Sequence, residues 1–107
     1  MALISLSEAK EYLRVDTDDE DTTIGYLLKE AEVLVRNVSR LQADRWSRVQ
    51  ADPSQDDDAE LIALRDIIRG AELYTLGYLY EHRDEADHHD LTITLRNLLF
   101  AVREGII

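Results

Sequence analysis

The chain has 107 residues, with 23 Asp and Glu against 12 Lys and Arg, a formal charge of -11 and no cysteine. That length suits one domain with a modest core, the absence of thiols excludes disulfides, zinc-thiolate sites and cysteine nucleophiles, and the acidity argues against a groove that neutralises DNA phosphates. No apolar run reaches bilayer-spanning length, and "MALISLSEAK" lacks the basic flank and cleavage site of a signal peptide, so a soluble intracellular protein with no membrane partner is expected.

Taken in chain order, the first element is a short helix to about Arg14, opened by an S-x-x-E capping box at Ser5 and Glu8 and carrying Leu6, Ala9 and Leu13 on one stripe. A second helix, roughly 19 to 41, is the clearest: Ile24, Leu27, Leu28, Ala31, Leu34, Val35, Val38 and Leu41 repeat on one face, with Lys29, Glu30, Glu32, Arg36 and Arg40 opposite. Residues 42 to 58, "QADRWSRVQADPSQDDD", read as a polar connection holding the only Trp and the only Pro, with Trp46 expected to pack on the core ahead of the alternative, that it anchors a partner. The third predicted helix runs from about Asp58 to Arg83 with Leu61, Leu64, Ile67, Ile68, Ala71, Tyr74, Tyr78 and Leu79 inward. A fourth carries Leu95, Leu98, Leu99 and Val102; its lead-in "LTITL" alternates like a strand but has no second strand to pair with. The expected fold is therefore all-α, a bundle of about four helices in a single domain.

Charge is concentrated between these elements. Fourteen of the acids sit in residues 16 to 21, 56 to 60 and 81 to 90, whereas the rest of the chain is nearly neutral. The run "VDTDDEDTTI" fails as a calcium loop: starting at Asp16 places Leu27 at position 12, and starting at Asp19 puts Ile24 where glycine belongs. Carboxylates in a first turn meet unpaired N–H groups and oppose the macrodipole, so Asp18 or Asp19 is expected to cap the second helix, and Asp56, Asp57 or Asp58 the third. In "HRDEADHHD", His82 and His88 lack one-turn spacing and His88 and His89 point apart, which favours a solvated loop over a metal site. The carboxylate pairs Glu8 with Glu11 and Glu81 with Asp84 lie too far apart in sequence for a compact magnesium-dependent hydrolase motif. Neither a catalytic residue, a metal nor a cofactor is expected.

The most informative stretch is "AELYTLGYLYEHRDEA". Between Ala71 and Tyr80 only Glu72 and Thr75 are strongly polar, so apolar surface extends beyond one helix face. Tyr74, Leu76 and Tyr80 are the surplus and are candidates for a subunit contact; the expectation is that Leu76→Asp or Tyr80→Glu blocks assembly and leaves the fold intact. Ten of the twelve bases are arginine, suited to interface ion pairs, and Arg36 and Arg40 on the second helix are candidates for the opposing surface.

Two segments carry a resemblance. "ISLSEAKEYLRVDTDDEDTTIGYLLKEAEVLV" looks like the opening of the phage head-tail connector (adaptor, or head-completion) family associated with DNA packaging: a short helix, an L-R-(I/V)-D exit, an acidic turn and a long amphipathic helix. "YLYEHRDEA" is similar to that family's "LYENRE"-type ending of the main helix, and "LRNLLFAVR" to its final leucine-rich segment. The 42 to 58 connection is longer and more polar than that pattern. The resemblance implies a structural virion protein: a dodecameric homo-oligomeric ring on the portal protein at the head-tail junction, assembled in the bacterial host cytoplasm. A tail or head-closure protein would sit on its far side, and DNA would pass through without sequence-specific binding. An acidic lumen would repel that duplex, and Asp56, Asp57 and Asp58 are candidates to line it. The other reading of the same charge is a small acidic helical regulator that mimics DNA.

Overall fold

A computed structural model describes residues 3–55, 57–82 and 89–100. The protein is all-α, with five helices: α1 (Leu6–Leu13), α2 (Asp21–Ser39), α3 (Ala43–Gln50), α4 (Ala59–Glu81) and α5 (His89–Leu99). No strand occurs among the described residues.

Local chemistry sets the ends of these helices. At α1 the Ser5 Oγ accepts from the Glu8 N–H at 3.1 Å while the Ser5 N–H donates to Glu8 Oε1 at 3.2 Å, so two end donors are satisfied reciprocally. α1 stops at Arg14, which turns into the left-handed region at φ 60°. Asp58 caps α4, its Oδ1 accepting from the Leu61 N–H at 2.8 Å. α2 is different: its N-cap is Glu20, without a side-chain cap bond, and neither Asp18 nor Asp19 takes that position. Asp18 and Asp21 instead hold Lys10 Nζ, at 2.9 and 2.8 Å, and so tie the end of α1 to the start of α2. The acids of this turn meet a cation from the preceding helix, a partner that first-turn logic does not see.

α2 and α4 form the central pair; α1 and α5 each pack against both, and α3 packs on α4. Ile24, Ala31 and Val35 of α2 meet Leu64, Ile68, Leu76 and Leu79 of α4 in one core with Leu91, Leu95 and Leu99 of α5. The "LTITL" segment is helical, because Leu91, Leu95 and Leu99 repeat at one-turn spacing and share that core. Leu98, expected inward, is exposed, and Val102 lies outside the described residues.

The polar connection is the main departure. It contains α3, whose Trp46 and Val49 are buried one turn apart while the rest of the helix is polar. Trp46 packs into the core, 2% exposed, with the Arg36 guanidinium 5.9 Å above its ring. Arg65 of α4 holds the end of α3: its Nε and Nη2 donate to the Val49 and Arg48 carbonyls at 3.1 and 3.2 Å, and its Nη1 to Asp57 Oδ2 at 2.9 Å. Those carbonyls are among the last of the helix and have no partner within it. A buried arginine from a neighbouring element therefore completes a helix too short to be stable alone.

Candidate assembly surfaces and a buried carboxyl

Between Ala71 and Tyr80 α4 has more apolar surface than one face, and packing chooses which part turns inward. Leu76 is 0% exposed, so it is a core residue and not a subunit contact. Tyr80 is half-buried against the core, and its hydroxyl donates to Glu20 Oε2 at 2.6 Å, so only part of its ring stays at the surface. Tyr74, in contrast, is 40% exposed, and Ile67, expected inward, is exposed beside it. The face is turned relative to the sequence reading because Glu72 and Thr75, the two polar positions, are both buried. Thr75 is accommodated by donating from Oγ1 to the Ala71 carbonyl at 2.8 Å.

The solvent strip of α4 is thus Ala63, Ile67, Gly70 and Tyr74, spaced four, three and four residues. A Cβ built on Gly70 meets nothing within 4 Å, so the helix backbone itself lies open there. Ile67, Gly70, Ala71 and Tyr74, with Leu98 of α5, line an apolar groove of about 440 Å³, to which Asp66 also contributes. Further along, the Tyr12 ring lies over Gly77, and Tyr12, Tyr74, Tyr78 and Tyr80 line a wider cleft of about 600 Å³. Tyr78 stacks on His82, ring centroids 4.1 Å apart, and His82 Nδ1–H donates to the Tyr78 carbonyl at 2.9 Å. His82 is therefore held at the end of α4 and His89 lies in α5; His88 and Asp84 lie outside the described residues.

A second surface lies on α2. Tyr26 and Val33, 69% and 57% exposed, stand two turns apart in the middle of its solvent face, flanked by exposed Lys29, Arg36 and Arg40 and one acid, Glu30. The stacking of Arg36 on Trp46 orients one of these cations, and Arg40 forms the left-handed C-cap at φ 59°. Sequence reasoning named the arginines but passed over Tyr26 and Val33. Two apolar residues seven apart on the polar face were the available signal.

The acids proposed for a lumen are otherwise engaged. Asp58 is the α4 cap, and Asp57 turns toward Arg65 while also accepting from the Ser54 N–H at 3.0 Å; Asp56 lies outside the described residues. The backbone donor at Ser54, then Arg65, hold the Asp57 carboxyl below the usual range. Glu8 is likewise lowered, first by its hydrogen bond from Arg69. Arg69 also donates to the Leu3 carbonyl at 2.5 Å. Arg65 and Arg69 line a cleft of about 350 Å³, but both guanidinium groups are paired with carboxylates, which leaves little charge for an anion. Among the described residues, no three His, Asp or Glu side chains are grouped to hold a metal ion.

Glu72 is placed differently. It is 1% exposed and its Oε1 has no hydrogen-bond partner among the described residues. Burial, and secondarily the charge of Glu32, push its carboxyl up to about 8, with Arg69 opposing. Comparison of the chain with protein-family models, curated proteins and solved structures gives no match.

Proposed function

We propose that the protein is a non-enzymatic structural subunit that assembles head to tail into a ring, the architecture of a phage head-tail connector placed between portal and tail in the virion. The observation that carries this reading is the pairing of two separate apolar surfaces with opposite charge on one chain. The α4/α5 groove presents Ile67, Tyr74 and Leu98 beside Asp66, and the α2 face presents Tyr26 and Val33 among Lys29, Arg36 and Arg40. A heterologous contact requires two different, mutually complementary patches on every subunit, and repeats until the ring closes. An isologous dimer needs only one. Tyr74, Arg36 and Arg40 remain interface candidates on this reading, and Tyr26 and Val33 join them. The formal charge of -11 suits a duplex passing through without adhering.

The test uses one variant per surface, Tyr74→Glu and Val33→Glu, both at exposed positions where the fold tolerates a carboxylate. Native mass spectrometry with purified portal should show rings for the wild type and none for either variant alone. Mixed in equal amounts, the two variants should form heterodimers and stop there, since each retains the patch the other lacks. Rings from either single variant, or a wild type that stays monomeric on the portal, would overturn the proposal.

A further inference from the structure

Glu32 of α2 acts electrostatically on Glu72 of α4 and holds Gln50 of α3, so one polar cluster links three helices, and the assembly surfaces make no demand on it. Glu72 is an acid set into the inward face of α4, between Ala71 and the buried Thr75 and Leu76. With Oε1 buried and without a donor, an ionised carboxylate would lose its hydration there with no hydrogen bond to that oxygen in exchange. The amide donor that α3 sends in, Gln50 Nε2, is engaged by Glu32 Oε1 at 2.5 Å. Glu32 is itself a like charge facing Glu72 from α2. Arg69, nearly one turn earlier on α4, is the cation that acts on Glu72, and it is bound to Glu8 of α1 and to the Leu3 carbonyl. Elsewhere, Asp44 and Arg48 of α3 and His89, Asp90 and Arg96 of α5 are exposed, and Arg45 pairs with Glu60 at 3.3 Å. Protonation is thus the way this site is neutralised.

We propose that Glu72 is a proton-operated latch: protonated, it lets α2 and α4 close on each other; ionised, it repels Glu32, parts that seam and releases α3. The helix released is α3 because its ties run to both sides of the seam. Arg65 binds its last carbonyls to α4, while Gln50 and the Arg36 stack on Trp46 bind it to α2. The carboxyl's position at about 8 puts the opening in mildly alkaline solution, within reach of ordinary buffers. This inference concerns the isolated subunit and stands independently of the ring.

Trp46, the single tryptophan, sits on α3 and is buried, so its emission reports the opening directly. Titrated from about pH 6 to about pH 9, the wild-type protein should show a red shift centred near 8. Glu72→Gln should hold the closed-state emission across the whole range. Glu32→Gln removes the like charge whose repulsion parts the seam, so the closed form should persist to higher pH and the midpoint move upward. A flat wild-type titration, or a transition that persists in Glu72→Gln, would overturn the latch. Should Glu72→Gln fail to fold, an unshifted midpoint in Glu32→Gln overturns it equally.

Discussion

Arg14 and Arg40 stand at φ 60° and 59°, each at the C-cap of a helix where glycine is the usual residue. A Cβ in the left-handed region costs about 1–2 kcal/mol, and the entropy of a glycine in the unfolded chain offsets part of the gain from removing it. Arg14→Gly should therefore stabilise the protein by about 0.5–1 kcal/mol, read as a rise of a few degrees in the midpoint of thermal unfolding by circular dichroism. A fall would mean that the exposed Arg14 side chain contributes more than its backbone costs. Lys10 is the residue-scale counterpart at the next turn: with two carboxylates on its ammonium, its pKa is raised, first by Asp21 and then by Asp18. Calcium or magnesium should leave the melting temperature unchanged, since a ligand that binds only the native state must raise it and these oxygens already have a cation.

At the scale of elements, α4 explains most of the molecule. Its two glycines near the surface separate packing from propensity. Gly70 faces open space, so Gly70→Ala should add helix propensity worth about 0.5–1 kcal/mol to the isolated subunit. At Gly77 a methyl group would stand 3.2 Å from Tyr12 Cε2, so Gly77→Ala should gain less or lose, depending on how far the ring gives. Comparing the urea midpoints of the two variants checks the pair. Leu76 tests the inward face: Leu76→Asp places a carboxylate in the core and should unfold the subunit at a cost of several kcal/mol, whereas Tyr74→Glu keeps the helical signal. A folded Leu76→Asp would return that residue to the surface.

For the whole molecule, pH acts through two sets of carboxyls with opposite sign. Glu8, Asp18 and Asp57 are lowered from 4.5, 3.8 and 3.8, so their contribution is present above those values and is lost as pH falls through the folded pKa. Glu72 is raised from 4.5 to about 8, so its contribution is full below 4.5 and is lost as pH rises to about 8. Stability should accordingly peak in weakly acidic solution and decline on both sides. Urea midpoints measured across this range check it: Glu72→Gln should abolish the alkaline decline and leave the acid limb in place.

The sequence by itself determined the all-α class, the Ser5 capping box, an aspartate cap for α4 among Asp56, Asp57 and Asp58, and the approximate positions of α1, α2 and α4, because caps and amphipathic stripes are written within a turn or two of the residues they affect. Tertiary structure decided what depends on neighbours. α3 carries only Trp46 and Val49 as buried residues and needs Arg65 from α4 to close its end, so its own residues gave too weak a period to read. Asp18 answers to Lys10 across a turn and not to the helix it precedes. α4, with apolar residues on more than one face of its second half, could bury different faces, and its neighbours selected the one that holds Leu76, Thr75 and Glu72 inside and leaves Ile67 and Tyr74 in solvent. A helix with one apolar stripe states its own orientation; a helix with more apolar surface than one core can cover receives its orientation from whatever packs against it.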